Sequence, residues 1–321
     1  MRVLRDPLDN DRPPRGGVLS IGNFDGVHVG HQAVLRHVVR RAGDEGSVAL
    51  AMTFDPHPAK VLRPAEAPRL LSTLEQRLQL IAGTGIEVTM VVPFTRALAQ
   101  MEAEAFVRRV MVERLGVVEV YIGANFRFGA DRGGDVELLR RLGRELGFTA
   151  ASAPTVEVDG EVVSSSRVRA EVATGRVEAA RRLLGRAVAV DGHVREGERL
   201  GRTLGFPTLN LAVENDLLPH SGVYITAADV PSDGRVFPSV TNIGVRPTVS
   251  DRGRVSVESH LLGFDGDLYG QRVRVHFIRR LRDERTFASA GKLMEQIHAD
   301  TRSARAWFEE HPVEDHELLR M

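Results

Sequence analysis

Val18-Leu19-Ser20-Ile21-Gly22-Asn23-Phe24-Asp25-Gly26-Val27-His28-Val29-Gly30-His31 is the stretch on which the fold turns. The apolar run from Val18 to Ile21 reads as a buried strand, and Gly22 to Val27 as a tight loop. His31, Val34, Leu35, Val38, Val39 and Ala42 then recur at helical spacing on one face. A strand passing through a glycine-bearing loop into an amphipathic helix opens a βαβ unit. Outward from it, Val48 to Phe54 is a second buried strand, ending in Asp55-Pro56-His57-Pro58. Thr73 to Ala82 reads as helix, Val88 to Val92 as strand, Glu102 to Leu115 as helix, Val117 to Ile122 as strand and Val136 to Leu146 as helix. Right-handed crossovers between such strands give a mostly parallel, Rossmann-like α/β layer.

The texture changes after about residue 185. Short alternating runs replace long helices: Val188 to Val194, Thr208 to Val213, Val223 to Val230, Val236 to Ile243, Val255 to Leu261 and Val273 to Ile278. Gly, Pro, Asn and Asp punctuate them at the spacing of a small antiparallel β-barrel. A helix over Ser289 to Phe308 closes the chain. The expected domains are therefore 1–185 and 186–321, with no repeat or long linker between them.

Composition narrows the function. The 321 residues suit two cores rather than one. Basic and acidic residues balance at 43 each, which argues against electrostatic wrapping of nucleic acid. No apolar run approaches a bilayer span, and Met1 to Pro7 has no stretch resembling a secretory signal. Cysteine is absent, which excludes disulfides, thiolate metal sites and cysteine nucleophiles. A cytoplasmic enzyme acting on small molecules is the expectation, with no nucleic acid or membrane partner and with a weak homo-oligomer left open. The many arginines, against Lys60 and Lys292 as the only lysines, decide nothing by their total.

Ligands of open α/β sheets collect at the carboxyl ends of strands, and unpaired N–H groups at a helix start attract phosphate. His28 and His31, with Gly30 between them, can lean on the same phosphates and stabilise charge at an attacked α-phosphate. The ordinary alternative is one capping and one packing histidine around a turn. Zinc with His57 as third ligand is another, though the spacing does not demand it. Asn125, Phe126, Arg127 and Phe128 suit a flat heterocycle, or else plug the core. Ser164 to Arg169 offers serine caps and arginine forks fit for a triphosphate, or is simply a capped helix.

In the second half, the glycines from Gly197 to Gly205 provide backbone that can bend over phosphates. Thr208 and Asn210 alternate onto one strand face, where two neutral oxygens can help hold Mg²⁺ beside a nucleotide. Glu258 lies with Ser256 and His260 opposite Val255, Val257 and Leu261. A carboxylate there can take the proton of a hydroxyl attacking a γ-phosphate. A Gly/Pro turn, a wet strand face and an exposed glutamate are the plain alternatives.

Taken together, Ile21 to Gln32, Phe54 to Pro58, Asn125 to Gly129 and Ser165 to Arg169 resemble the adenylyltransferase half of the bacterial bifunctional riboflavin kinase/FAD synthetases. Leu183 to Arg186, Gly201-Arg202 with Gly205 to Thr208, Asn242 to Thr248, Glu258 with His260 to Leu262, Phe264 to Gly270, and Leu281 to Glu284 with Phe287 resemble the kinase half. The resemblance implies an ATP site at Gly22, Asn23, Phe24, Asp25, His28, His31, Ser165, Ser166, Arg167 and Arg169. It implies a second at Gly201, Arg202, Gly205, Thr208 and Asn210, the last two carrying Mg²⁺. FMN is then expected toward Phe54, His57, Asn125 and Arg127, further flavin contacts at Arg282, Glu284 and Phe287, and Glu258 as base on the ribityl 5′-hydroxyl. Riboflavin, FMN, FAD and ATP are the implied substrates and products. Ser164 and Val168 stand where the family has isoleucines, Leu209 where it has alanine, and Gly263 where it has aspartate. The first three are read as packing changes. Two other readings stay open: another His-x-Gly-His nucleotidyltransferase, which leaves the barrel unexplained, and a flavin-binding regulator without turnover.

Overall fold

The structure, a computed structural model, describes residues 1–6, 14–196, 206–246 and 254–313. Contacts divide the chain into two compact units, Met1–Ser165 and the residues from Ser166 onward.

The first unit is a six-stranded sheet of β1 (Arg2–Arg5), β2 (Gly17–Ile21), β3 (Val48–Asp55), β4 (Val88–Pro93), β5 (Glu119–Ile122) and β6 (Thr149–Ser152). All neighbours are parallel, in the order β1-β4-β3-β2-β5-β6. The chain winds one way from β2 to β4 and the other way through β5 and β6. The switch point, where such sheets bind ligands, lies between β2 and β5. The period-two alternation expected of buried strands sorts the core. Leu19, Ile21, Leu50 and Met52 face one layer, while Val18, Ala49 and Ala51 face the other.

The second layer is covered by α1 (Val29–Asp44), through Val34, Leu35, Val38 and Ala42, and by a later helix over Leu74–Ala82. Between these come β3 and α2 (Pro58–Leu62), so the Leu74–Ala82 helix is α3. The first layer is covered by α4 (Arg96–Ala99), α5 (Ala103–Phe106) and α6 (Val136–Leu146). The helix expected over Glu102 to Leu115 forms, but Val107–Arg114 widens to π-helical bonding. The short strands β1 and β6, and the small hairpin β7 (Glu157–Val158) and β8 (Glu161–Val162), have no apolar run to announce them.

The second unit begins with α7 (Ser165–Ala173) and α8 (Val177–Leu184), so the contact division falls ahead of these helices rather than after them. Val177, Ala180, Leu183 and Leu184 are buried, and α8 packs on the first and last barrel strands. That barrel comprises β9 (Val188–Arg195), β10 (Leu209–Val213), β11 (Gly222–Val230), β12 (Arg235–Arg246), β13 (Arg254–Leu261) and β14 (Arg272–Arg282). It closes antiparallel in the order β10-β13-β12-β11-β14-β9, which leaves no open edge. The closing helix α9 (Ala290–Glu310) is capped by Ser289 and lays Ala304 and Phe308 over Ile225, Ala227 and Ile278.

Candidate functional site

The loop after β2 is held in a conformation that ordinary residues avoid. Phe24 (φ 48°), Gly26 (φ 75°) and Val27 (φ 37°) are all left-handed, and such a run persists only where neighbours over-determine it. His28 caps α1, its Nδ1 accepting from the His31 N–H at 3.3 Å. An acceptor at Nδ1 puts the ring proton on Nε2, so His28 offers a donor from that atom. The two imidazoles stack with centroids 3.7 Å apart, and the Phe24 ring meets His31 edge-on at 5.4 Å. A Cβ on Gly30 would lie 3.1 Å from the His28 ring, so glycine is what lets that ring lie close to the helix start.

Other residues of the loop turn inward. The Asp25 carboxylate is buried and accepts from the Leu71 N–H at 3.0 Å, the Ser72 N–H at 3.1 Å and the Ser72 hydroxyl at 3.1 Å. Ser165 Oγ donates to the Asp25 carbonyl at 3.0 Å. Ser166 is exposed and Arg167 and Arg169 are half-buried, all three on α7 in the second unit. Val168 is fully buried there, which accounts for an apolar residue at that place.

A cleft of about 650 Å³ opens at the carboxyl ends of β2 to β5. It brings together the sequence-derived flavin residues Phe54, His57, Asn125 and Arg127 with Asn23 of the loop. Phe94, Phe106, Phe126 and Phe128 complete an aromatic lining, with Phe54 edge-on to Phe94 at 5.7 Å. Arg63, Arg96 and Arg132 stand on the same walls. The lining is apolar with a few cationic groups, which suits a flat heterocycle that carries phosphate. Gly129 (φ 73°) has Ala103 backbone 2.5 Å from where a Cβ would sit, so glycine lets this wall close up.

In the barrel, Glu258 lies directly across from Asn210 on one neighbour strand and Asn242 on the other. The proposed base and one of the two expected metal-side residues are thus neighbours across the ladder, a pairing that alternation within either strand does not show. Leu209 pairs with Ser259 and shares the alternate face, away from Asn210. Thr208 immediately precedes β10. The His260 Nδ1 lies 2.8 Å from the Pro207 carbonyl, and its ring meets Phe206 edge-on at 5.6 Å. Gly263 is left-handed (φ 80°), a conformation that glycine adopts without cost.

Arg282, expected at the flavin, is held by the last helix. Its guanidinium grips the buried Asp300 of α9 at 2.8–3.2 Å and lies over Phe287. Phe287 borders a smaller cleft of about 400 Å³ with Arg285 and Lys292, whereas Arg282 and Glu284 do not line it. Glu284 packs instead against Gly244 of β12. Gly201, Arg202 and Gly205 lie outside the described residues, as do Gly197, Pro247 and Thr248. Among the described residues, no three or more His, Asp or Glu side chains form a metal-holding group.

Sequence reasoning passed over Arg77, which is buried beneath the β2 loop. Its signal was an arginine at i, i+3, i+4 spacing with Leu80 and Ile81, on the face of α3 that turns inward. It also passed over Arg63, Arg96 and Arg132 of the cleft, which come from separate segments that only the fold brings together.

Residues 10–167 match the family model described as FAD synthetase, and residues 184–308 match that described as riboflavin kinase. A bifunctional riboflavin kinase/FMN adenylyltransferase of Pseudomonas fluorescens is 42% identical over 307 residues, covering 95% of this chain and 97% of that one. The protein of that name from Escherichia coli is 38% identical, covering 96% and 98%. A crystal structure described as a macrolide-efflux protein from Streptococcus pneumoniae superposes with a TM-score of 0.85 at 26% identity, covering 96% of this chain and 100% of that one. Among the described residues, no helix is long and apolar enough to cross a membrane. On the identity and coverage of these relatives, the chain belongs to the bifunctional riboflavin kinase/FMN adenylyltransferase family.

Proposed function

We propose that this chain phosphorylates riboflavin to FMN with ATP in its barrel half and adenylylates FMN to FAD in its α/β half. The observation that carries the reading is the pair of separate matches in one chain, FAD synthetase over 10–167 and riboflavin kinase over 184–308.

In adenylylation, a phosphate oxygen of FMN attacks the α-phosphorus of ATP, the bond to the β-phosphate oxygen breaks, and pyrophosphate leaves. The cleft at the ends of β2 to β5 holds the isoalloxazine between its phenylalanines, with Asn125 and Arg127 on the polar edge. ATP lies along the Gly22 to His31 loop, and Ser165, Ser166, Arg167 and Arg169 are assigned to the same nucleotide on the family resemblance alone. His28 donates from Nε2 toward charge building on the attacked phosphate, and His31 stacks behind it. Gly22, Phe24 and Asp25 serve this site by shaping the loop.

In the kinase half, Glu258 takes the proton of the riboflavin 5′-hydroxyl as its oxygen bonds to the γ-phosphorus, and ADP leaves. Thr208 and Asn210, with Glu258 across the ladder, present neutral oxygens suited to a hard cation that also binds phosphate. Mg²⁺ held there would neutralise phosphate charge. Phe287 offers a ring face to the flavin, and Gly201, Arg202 and Gly205 are assigned to the nucleotide on the family resemblance. Arg282 and Glu284 are assigned to the same flavin side, Arg282 being held there by Asp300. The enzyme works in the cytoplasm on small molecules.

Incubation with riboflavin, ATP and Mg²⁺ followed by chromatography of the flavins tests the proposal. FMN and FAD are expected. Unchanged riboflavin would mean a flavin-binding protein, and unchanged FMN when FMN is supplied would remove the second activity.

A further inference from the structure

Arg77 is one of the largest fully buried side chains in the molecule, at 2% exposure. Its Nη1 donates to the Asn23 carbonyl at 2.9 Å, the Thr53 hydroxyl at 3.2 Å and the Phe54 carbonyl at 3.2 Å. Asn23 lies in the loop after β2, while Phe54 is the penultimate residue of β3, and both line the cleft. One guanidinium thus ties the nucleotide loop to the flavin wall. Thr53 completes the tie by donating its own hydroxyl proton to the Asn23 carbonyl at 3.1 Å.

The far end of the loop is fastened by the segment that leads into the same helix. Asp25 accepts from Leu71 and Ser72, and the Gly26 N–H donates to Ser72 Oγ at 3.1 Å. A Thr73/Gln76 capping box then starts α3 and fixes the position from which Arg77 reaches back. Leu71 to Arg77 therefore spans the left-handed run at Phe24, Gly26 and Val27 and grips it on both sides.

We propose that Arg77 is a positioning residue for adenylyl transfer, setting the spacing between the ATP loop and the flavin cleft. The inference rests on the functional reading above. In-line attack needs the FMN phosphate oxygen and the ATP α-phosphorus held at near-contact distance, and a misplacement of about 1 Å costs about 100-fold in rate. A guanidinium in this place is electrostatically unfavourable: burial lowers its pKa, opposed by the charges of Asp25 and Asp55. An apolar residue on the same face as Leu80 and Ile81 would fill the core without that cost, but would leave Asn23 and Phe54 untied.

The test compares Arg77→Met and Arg77→Lys with wild type in the full chain. It reads kcat and both KM values for FMN adenylylation, the same constants for riboflavin phosphorylation, and the thermal melt by circular dichroism. The account expects Arg77→Met to lose about 100-fold in adenylylation kcat/KM, with KM raised for both FMN and ATP and kinase constants unchanged. Arg77→Lys, whose ammonium has three donors for the same three acceptors, should restore activity to within about tenfold of wild type. Wild-type constants in Arg77→Met would overturn the inference. So would a loss that follows the folded fraction with KM unchanged, which is the mark of a purely structural role. Should Arg77→Met not fold, Arg77→Gln replaces it under the same criteria. If wild type itself makes no FAD from FMN, the functional reading fails and the inference with it, whereas wild-type turnover beside an unaffected variant overturns the inference alone.

Discussion

His276 gives the barrel an acid-sensitive stability that can be worked out from its surroundings. The side chain is buried on β14, opposite Ala189 of β9 and Ala227 of β11. Burial, with Arg274 and Arg186 repelling a second positive charge, pulls its pKa down from 6.5 to about 3, against a weaker pull upward from Asp191. The folded state therefore holds His276 neutral, while the unfolded chain protonates it below about pH 6.5. A group whose folded pKa is depressed contributes stability above the unfolded pKa and loses it as pH falls toward the folded one. At pH 5 the unfolded state has gained about 1.5 pH units of protonation free energy, or about 2 kcal/mol. Asp229, raised by burial, acts in the opposite sense, so the comparison must be with a variant that alters His276 alone. Trp307, the only tryptophan, lies on α9 and reports the unfolding of this unit. Denaturant melts followed by its fluorescence at pH 7.5 and 5.0 should show wild type losing about 2 kcal/mol more than His276→Phe over that interval. Whatever Phe does to absolute stability, it does not titrate. Equal acid slopes in the two proteins would refute the reasoning.

Gly30→Ala should lower adenylylation about tenfold and leave kinase turnover unchanged, because its Cβ presses on the His28 ring 3.1 Å away; separate assays of the two half-reactions check it. Asp300→Ala should destabilise the second unit by about 3 kcal/mol, since it strands the largely buried Arg282; Trp307 fluorescence in denaturant measures it. A fragment beginning at Ser166 should melt cooperatively and phosphorylate riboflavin. A fragment beginning at Arg186 should melt lower, because it lacks the buried face of α8; circular dichroism compares the two.

The fold was legible where hydrophobic period and turn chemistry agreed. Val18 to Ile21 leading into His31 to Ala42 showed strand, loop and helix directly, and the barrel runs matched their strands within a few residues. β6, Thr149-Ala150-Ala151-Ser152, was missed because it is strand by virtue of its parallel partner β5 and carries little β propensity of its own. The widening at Val107–Arg114 leaves the apolar pattern of a helix intact, so no sequence signal marked it. At the candidate sites, residues close in sequence or alternating along one strand group themselves, such as His28 with His31 and Thr208 with Asn210, whereas the neighbour of Asn210 across the ladder, Glu258, is set by strand register. The identity of a residue did not disclose where its side chain points. Asp25 reads as a phosphate-loop carboxylate, yet it serves the Leu71 and Ser72 amides. Arg282, expected at the flavin, also clamps α9 to the barrel, a contact its sequence neighbours do not announce. Such choices are made by tertiary neighbours that are distant in sequence.

The central claim is that one chain carries two separable transfers, and a crossed pair of variants tests it most directly. Glu258→Gln and the double variant His28→Ala/His31→Ala are each incubated with ATP and Mg²⁺, once with riboflavin and once with FMN, and the flavins are separated by chromatography. The account predicts that Glu258→Gln makes FAD from FMN but leaves riboflavin untouched, and that the histidine variant makes FMN from riboflavin but no FAD. Near-normal phosphorylation by Glu258→Gln, or near-normal FAD formation by the histidine variant, would contradict it.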